Sequence, residues 1–234
     1  MIFKGEHTQS AIAFFDYFLP RFCVSCSNKL SLNDDTICSD CLNKIERASA
    51  VRINYEYTRK FKNDNIISDF FSLFVFEKDK ELQHAIHALK YNSKFKVGIF
   101  LGKLLGTELQ KSHPDWHIDF IIPIPLHQLK KAERGFNQSF YIAKGINEIL
   151  QKKVNDKIVR RIKYTQSQTT MNIGERKENI SGAFKIKKQT AVKGKNILLV
   201  DDVITTGATI SECGMILIEA GVNKIYAASI AIAD

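Results

Sequence analysis

Two groups of residues in this 234-residue sequence have the types and spacing for chemistry. The first is Asp201-Asp202-Val203-Ile204-Thr205-Thr206-Gly207-Ala208-Thr209, which follows the apolar run 197–200 and leads into a helical pattern over 208–220. A buried strand that ends in two carboxylates is followed by a Thr/Gly turn and by a helix whose free N–H groups and dipole favour an anion. Carboxylates this close to an anion repel it unless they accept hydrogen bonds from hydroxyl groups. A ligand with a monophosphate at one end and a vicinal diol at the other satisfies both demands, and ribose 5-phosphate is such a ligand. Gly207 lets the backbone curl closely, and Thr205, Thr206 and Thr209 add hydroxyl donors. An apolar strand with Asp-Asp also occurs at the magnesium strand of P-loop enzymes, but the sequence contains no Gly-x-x-x-x-Gly-Lys-Ser/Thr. A plain capped helix with surface aspartates would need neither two acids nor three threonines.

The second group is Cys23 with Cys26 and Cys38 with Cys41, two Cys-x-x-Cys pairs with eleven residues between them. Two such knuckles set four thiolates at the corners of a tetrahedron, which zinc accepts without geometric penalty. The alternative is a pair of redox or disulfide couples. A segment this short has little core, so a metal would be its main stabiliser, worth roughly 10–16 kcal/mol in comparable peptides. Four thiolates leave no open coordination position, so the zinc is read as structural. Cys213 falls inside the last helical pattern and is expected in the core. His84 and His87 share a helix face but lack an evident third ligand, and Trp116 reads as core.

Apolar content of 44% and charged content of 25% are ordinary globular values. The formal charge of +9 would fall to +7 with four thiolates on one zinc. Such a balance suits phosphorylated ligands or nucleic acid alike, and equally a set of solvated helix faces. The apolar stretch 11–19 is short, contains Asp16 and reads as a packed helix. No run reaches the roughly 18 apolar residues of a spanning helix, so membrane insertion is not expected and a cytoplasmic setting is.

These residues need elements to position them. The head runs to about residue 48, and 54–65 reads as a polar stretch. Segments 69–76, 119–126, 157–162, 197–200 and 224–232 read as strands; 79–90, 95–111, 136–150 and 208–220 have helical periodicity. Alternation of this kind implies a parallel sheet with helices on its faces and ligands beyond the carboxyl ends of the strands. The polar segment 164–182, with Arg176 and Lys177, reads as a lid.

The nine-residue run resembles the loop by which type I phosphoribosyltransferases bind the diphosphate of ribose 5-phosphate (PRPP). With the four-cysteine head the chain resembles the ComF family (ComFC- and GntX-like proteins), associated with bacterial competence. Pro123-Ile124-Pro125-Leu126-His127 with Arg134-Gly135-Phe136-Asn137-Gln138 resembles the family's central signature. Thr165, Gln168, Arg176, Asn179 and Gly182-Ala183-Phe184 resemble a later one, and Ala88-Leu89-Lys90-Tyr91 the first, with Ser93 where the family usually has Gly.

The resemblance implies an α/β fold of the type I phosphoribosyltransferase kind, a Rossmann-like parallel sheet with helices on both faces, plus a small N-terminal zinc ribbon. The expected domains are a zinc-binding head at 1–50 and a phosphoribosyltransferase-like domain at 51–234, with a hood or acceptor region at 51–115 and a core at 116–234. PRPP would meet residues Asp201 to Thr209 (Ile204 aside), with magnesium. Asp201, Asp202 and Arg176 are the catalytic candidates, and Lys90, His127 and Arg134 the candidates for the pyrophosphate. Transfer of phosphoribose to an unknown acceptor and non-catalytic PRPP sensing or single-stranded-DNA binding stay open as functions. An amidotransferase is disfavoured because no nucleophilic Cys follows Met1. Implied partners are single-stranded DNA, a competence helicase and a second copy of the chain.

Overall fold

A computed structural model of the protein describes residues 18–91, 94–164, 180–187 and 189–233. Ser93, most of the 11–19 stretch and the lid residues Arg176 and Lys177 lie outside the described residues.

In chain order the elements are α1 (Ser39–Lys44), α2 (Ala50–Lys60), β1 (Asp69–Val75), α3 (Glu81–Tyr91), α4 (Phe95–Ser112), β2 (Phe120–Pro123), α5 (Gln128–Arg134), α6 (Gln138–Leu150), β3 (Val159–Arg161), β4 (Phe184–Ile186), β5 (Asn196–Ile204), α7 (Ala208–Glu219) and β6 (Lys224–Ile232). Four strands form one parallel sheet in the order β1-β6-β5-β2, and β3 pairs with β4 as a separate antiparallel hairpin.

Strand periodicity builds both faces of that sheet. Leu198, Val200, Tyr226 and Ala228 point into a core shared with α3, α4 and α6. Their neighbours Ile197, Leu199, Ile225 and Ala227 point into a second core with α7 and the hairpin. Burial on both faces is why these strands read as continuous apolar runs. Each fully buried Leu, Ile or Val contributes about 1.5–3 kcal/mol, enough in sum to let the end of β5 carry desolvated carboxylates. Helices α4 and α6 approach so closely that a Cβ on Gly102 would lie 2.1 Å from the Ile142 carbonyl oxygen, and one on Gly145 2.1 Å from that of Ile99.

Three expectations about elements are corrected. Residues 54–65 are largely helix: α2 carries Ile53 and Tyr57, followed by Phe61, at spacings of four, one apolar stripe that packs on the second core. Helix α5, between the strand expected at 119–126 and the helix expected at 136–150, was not anticipated; it is capped by His127 and ended by left-handed Gly135. Strand β5 does not stop at Val200 but runs to Ile204, because Val203 and Ile204 stay paired with Ala231 and Ile232 of β6. The segment 51–115 contributes β1 to the sheet, hydrogen-bonded along β6.

Candidate functional site

The two carboxylates lie within the last turns of β5, Asp201 opposite Ser229 of β6. Each is held from a different helix. The Ser139 hydroxyl, at the start of α6, donates to Asp201 Oδ1 at 2.9 Å, and the Asp202 backbone N–H donates to the same oxygen at 2.9 Å. Lys90, at the end of α3, places its Nζ 2.7 Å from Asp202 Oδ2. Their proton affinities diverge accordingly. Burial, then the charge of Asp202, pushes Asp201 up to about 7. Burial also opposes the charge on Asp202, but Lys90 outweighs it and holds that carboxyl below its usual range. An adjacent pair with one proton-binding and one ionised member can take up hydroxyl groups in both donor and acceptor senses.

Beyond Ile204 the chain turns through Thr205, Thr206 and Gly207 into α7. Gly207 caps that helix in the left-handed region at φ 78°. A Cβ there would come within 2.7 Å of the Phe61 ring. The turn and the first residues of α7 enclose a cavity of about 60 Å³, the scale of a single phosphate group, with Thr205, Thr206, Gly207, Ala208 and Thr209 around it. Two residues that sequence reasoning missed hold this turn from behind. The Lys60 ammonium donates to the Thr205 carbonyl oxygen and, at 3.0 Å, to that of Ala233, while pairing with Glu56 at 2.9 Å. Phe61 packs on the glycine. Nothing local marks them, since Lys60 and Thr205 are 145 residues apart in the chain.

Next to the small cavity a cleft of about 650 Å³ opens beyond the carboxyl ends of the strands. Asp201, Asp202, Val203, Thr205 and Thr209 form one side, and Lys90, Lys130 and Arg161 bring cations to the other. Burial lowers the pKa of Lys130, and the charges of Arg161, Arg134 and Lys90 lower it further. Cations that mutually repel in this way are complementary to a polyanion. Of the residues expected at a pyrophosphate, Lys90 lines the cleft. His127 instead caps α5, its Nδ1 accepting from the Leu129 N–H at 3.3 Å. Arg134 ends α5, donates to Gln138 Oε1 at 3.2 Å and lies 5.7 Å over the Tyr91 ring. Lys130, expected with Lys131 beside the pyrophosphate, lines the cleft, whereas Ser139 and Arg161 were not singled out; the short run 157–162 gave no sign that Arg161 is buried.

At the head, the four cysteine sulfurs lie within 4.8 Å of one another, the one cluster of three or more metal-binding groups among the described residues. Cys26 and Cys38 Sγ are 3.8 Å apart, matching the about 3.8 Å between corners of a tetrahedron with Zn–S bonds of about 2.3 Å. The Cys23 sulfur accepts from the N–H groups of Cys38 and Ser25 at 3.3 and 3.4 Å. Although burial opposes its charge, such backbone donors bring the Cys23 thiol down to about 7. Burial instead pushes the Cys41 thiol up to about 12, so it is the spacing of the four sulfurs that fits zinc. The head is docked, not tethered: Ser25 Oγ donates to the Glu81 carbonyl at 3.1 Å, and Cys23, Cys41 and Ile37 share a core with Leu82, Ile86 and Leu89 of α3. The His84–His87 pair has no third ligand among the described residues; His87 packs at a tilt against Tyr91, ring centres 4.6 Å apart. Cys213 and Trp116 are buried. No described helix is long and apolar enough to cross a membrane.

Residues 137–233, which include both carboxylates and the phosphate turn, match the phosphoribosyl transferase domain model. The chain is 31% identical to DNA utilization protein YhgH of Escherichia coli O6:H1 over 62% of this chain and 64% of that one. It is 29% identical to competence protein F of Haemophilus influenzae over 60% of this chain and 63% of that one. It is 25% identical to competence protein ComFC of Bacillus subtilis over 86% of this chain and 79% of that one. The match thus spans just under two thirds of the length of the first two relatives. The chain thus resembles these competence and DNA-utilization proteins, and it carries a phosphoribosyl transferase domain match and a four-cysteine head.

Proposed function

We propose that the chain binds PRPP with magnesium at the end of β5, retains the means to transfer its phosphoribosyl group to an acceptor, and acts in DNA uptake or use. The observation that carries this is the adjacency of a phosphate-sized cavity at the start of α7 to two carboxylates of unequal proton affinity. The 5-phosphate takes the N–H groups and hydroxyls of residues 205–209. The ribose diol takes Asp201 and Asp202, and in doing so competes with Lys90 for Asp202. The displaced ammonium, with Lys130 and Arg161, then faces the pyrophosphate, where positive charge stabilises the departing anion. Magnesium, when bound, would neutralise part of that charge. Arg176, outside the described residues, keeps its proposed place on the lid.

A pure sensor of PRPP could dispense with the cationic wall, and its presence favours retained catalysis. The competence and DNA-utilization names of the relatives support the process. A cytoplasmic setting, a homodimer, and single-stranded DNA with a helicase as partners belong to the same proposal. The test is calorimetric titration of the zinc-loaded protein with PRPP and magnesium, followed by assay of the mixture for pyrophosphate. Binding with slow pyrophosphate release supports the enzyme. Binding without release favours the sensor, and absence of binding overturns the PRPP reading.

A further inference from the structure

The sheet end carries a second cavity that the PRPP reading does not use. It measures about 700 Å³ and lies between α5, the start of α6 and the β3–β4 hairpin, sharing only Leu126 and Arg161 with the first cleft. Its walls are unusual in two respects. Lys131, Lys157, Arg160 and Lys187 all line it, together with a single acid, Asp156. None of these four cations has an ion-pair partner among the described residues, so all four charges are left for a ligand. Cations that only solvate a surface are not gathered round a concavity in this way. The opposite wall is aromatic: Phe140 and Tyr141 on α6, half-buried and 5.5 Å apart in a T-shaped pair. Lys144 extends over both rings, 5.1 Å from Phe140 and 5.6 Å from Tyr141.

Concentrated unpaired cations select phosphates, and flat side chains beside them select a ligand that also has a π-face. We infer that this second cavity is a nucleotide site, with phosphates held by Lys131, Lys157, Arg160 and Lys187 and a base stacked on one ring of the perpendicular Phe140–Tyr141 pair. The ligand chemistry is shared by a free nucleotide and by a segment of single strand. The site does not depend on the PRPP reading, because these four cations and both rings lie outside the first cleft, Arg161 being the one cation common to the two.

The experiment titrates the zinc-loaded full chain with a fluorescent oligothymidylate, with dTMP and, separately, with PRPP. The protein is compared with two triple variants: Lys131→Glu/Lys157→Glu/Lys187→Glu in the cavity, and Lys44→Glu/Lys193→Glu/Lys224→Glu away from it. The cavity triple is expected to weaken the oligonucleotide more than tenfold and to flatten its salt dependence by about 0.7 in slope for each phosphate that the variant no longer neutralises. The distant triple, of equal charge change, should weaken it less than threefold, and PRPP affinity should stay within a factor of two in both. Phe140→Ala should cost the wild-type affinity about tenfold. Competition of the oligonucleotide by dTMP identifies a free nucleotide as the ligand, and oligonucleotide binding without it identifies a strand; both support the site. Equal weakening by the two triples would show undirected attraction to a basic protein and would overturn it, as would no binding of either probe.

Discussion

The four-cysteine head and the β5–α7 turn are both local motifs, but they are held in opposite ways. In the head, sulfurs from the 23–26 turn and from the start of α1 converge, and among the described residues its internal extended pairing is a single bridge between Phe22 and Lys29. Its own apolar residues do not make a separate core; they join that of α3. The turn, by contrast, sits on a sheet buried on both faces, backed by Lys60 and Phe61. A region without its own core would gain most of its rigidity from a metal, whereas one set on two cores can tolerate desolvated carboxylates and a left-handed glycine. The lesson is that a motif's chemistry and its rigidity have different sources.

Stripping the metal is the most severe way to break this comparison. Removal of zinc by a chelator should cost the head roughly 10–16 kcal/mol of its stabilisation, read as a lost low-temperature phase in calorimetric melting. Because the head covers α3, which carries Lys90, PRPP affinity should fall with it. Unchanged affinity would show that the head and the site are independent.

The double variant Asp201→Asn/Asp202→Asn tests the opposite case, function lost with the fold intact. PRPP binding should weaken at least a hundredfold by calorimetry, while the melting temperature stays at or above that of the wild type. Normal binding would mean that the carboxylates do not receive the diol.

Gly207→Ala should cost about 1–3 kcal/mol, since a Cβ must occupy left-handed backbone against Phe61. Lys60→Met should weaken PRPP by about tenfold through the loss of its hold on the Thr205 carbonyl. If Lys60→Met lowers the melting temperature without touching affinity, the lysine supports only the fold.

A further effect is one of pH. Burial and Asp202 push the Asp201 pKa up to about 7, above the about 3.9 of an unfolded chain. The folded state therefore binds this proton more tightly. Its contribution to stability is full below about pH 4 and is lost as pH rises through about 7. Asp201→Asn carries no such loss, so it should melt a few degrees above the wild type at pH 8 and near it at pH 4. Equal melting temperatures at both values would show that Asp201 keeps an ordinary pKa.

Several features were legible in the sequence alone. The Cys-x-x-Cys knuckles, the run from Asp201 to Thr209 and the doubly apolar strands are contiguous, so spacing alone reports what they can do. Where reading failed, the cause was tertiary override. Apolar residues at spacings of four are too few in 54–65 to signal α2 until the second core is seen to receive them. Two aspartates look like the end of a strand until β6 pairs beyond them.

By itself the sequence determined the donor atoms and their order: four sulfurs, two carboxylates, three threonine hydroxyls and a glycine, each set within a few residues of chain. Only the tertiary structure decided which carboxylate is ionised, which cations face the cleft and what braces the phosphate turn. Those properties depend on burial and on distances between groups that the chain brings together from 62 residues away, as for Ser139 and Asp201, or from 145, as for Lys60 and Thr205. No local pattern records such distances, because the packing of helices on the sheet creates them.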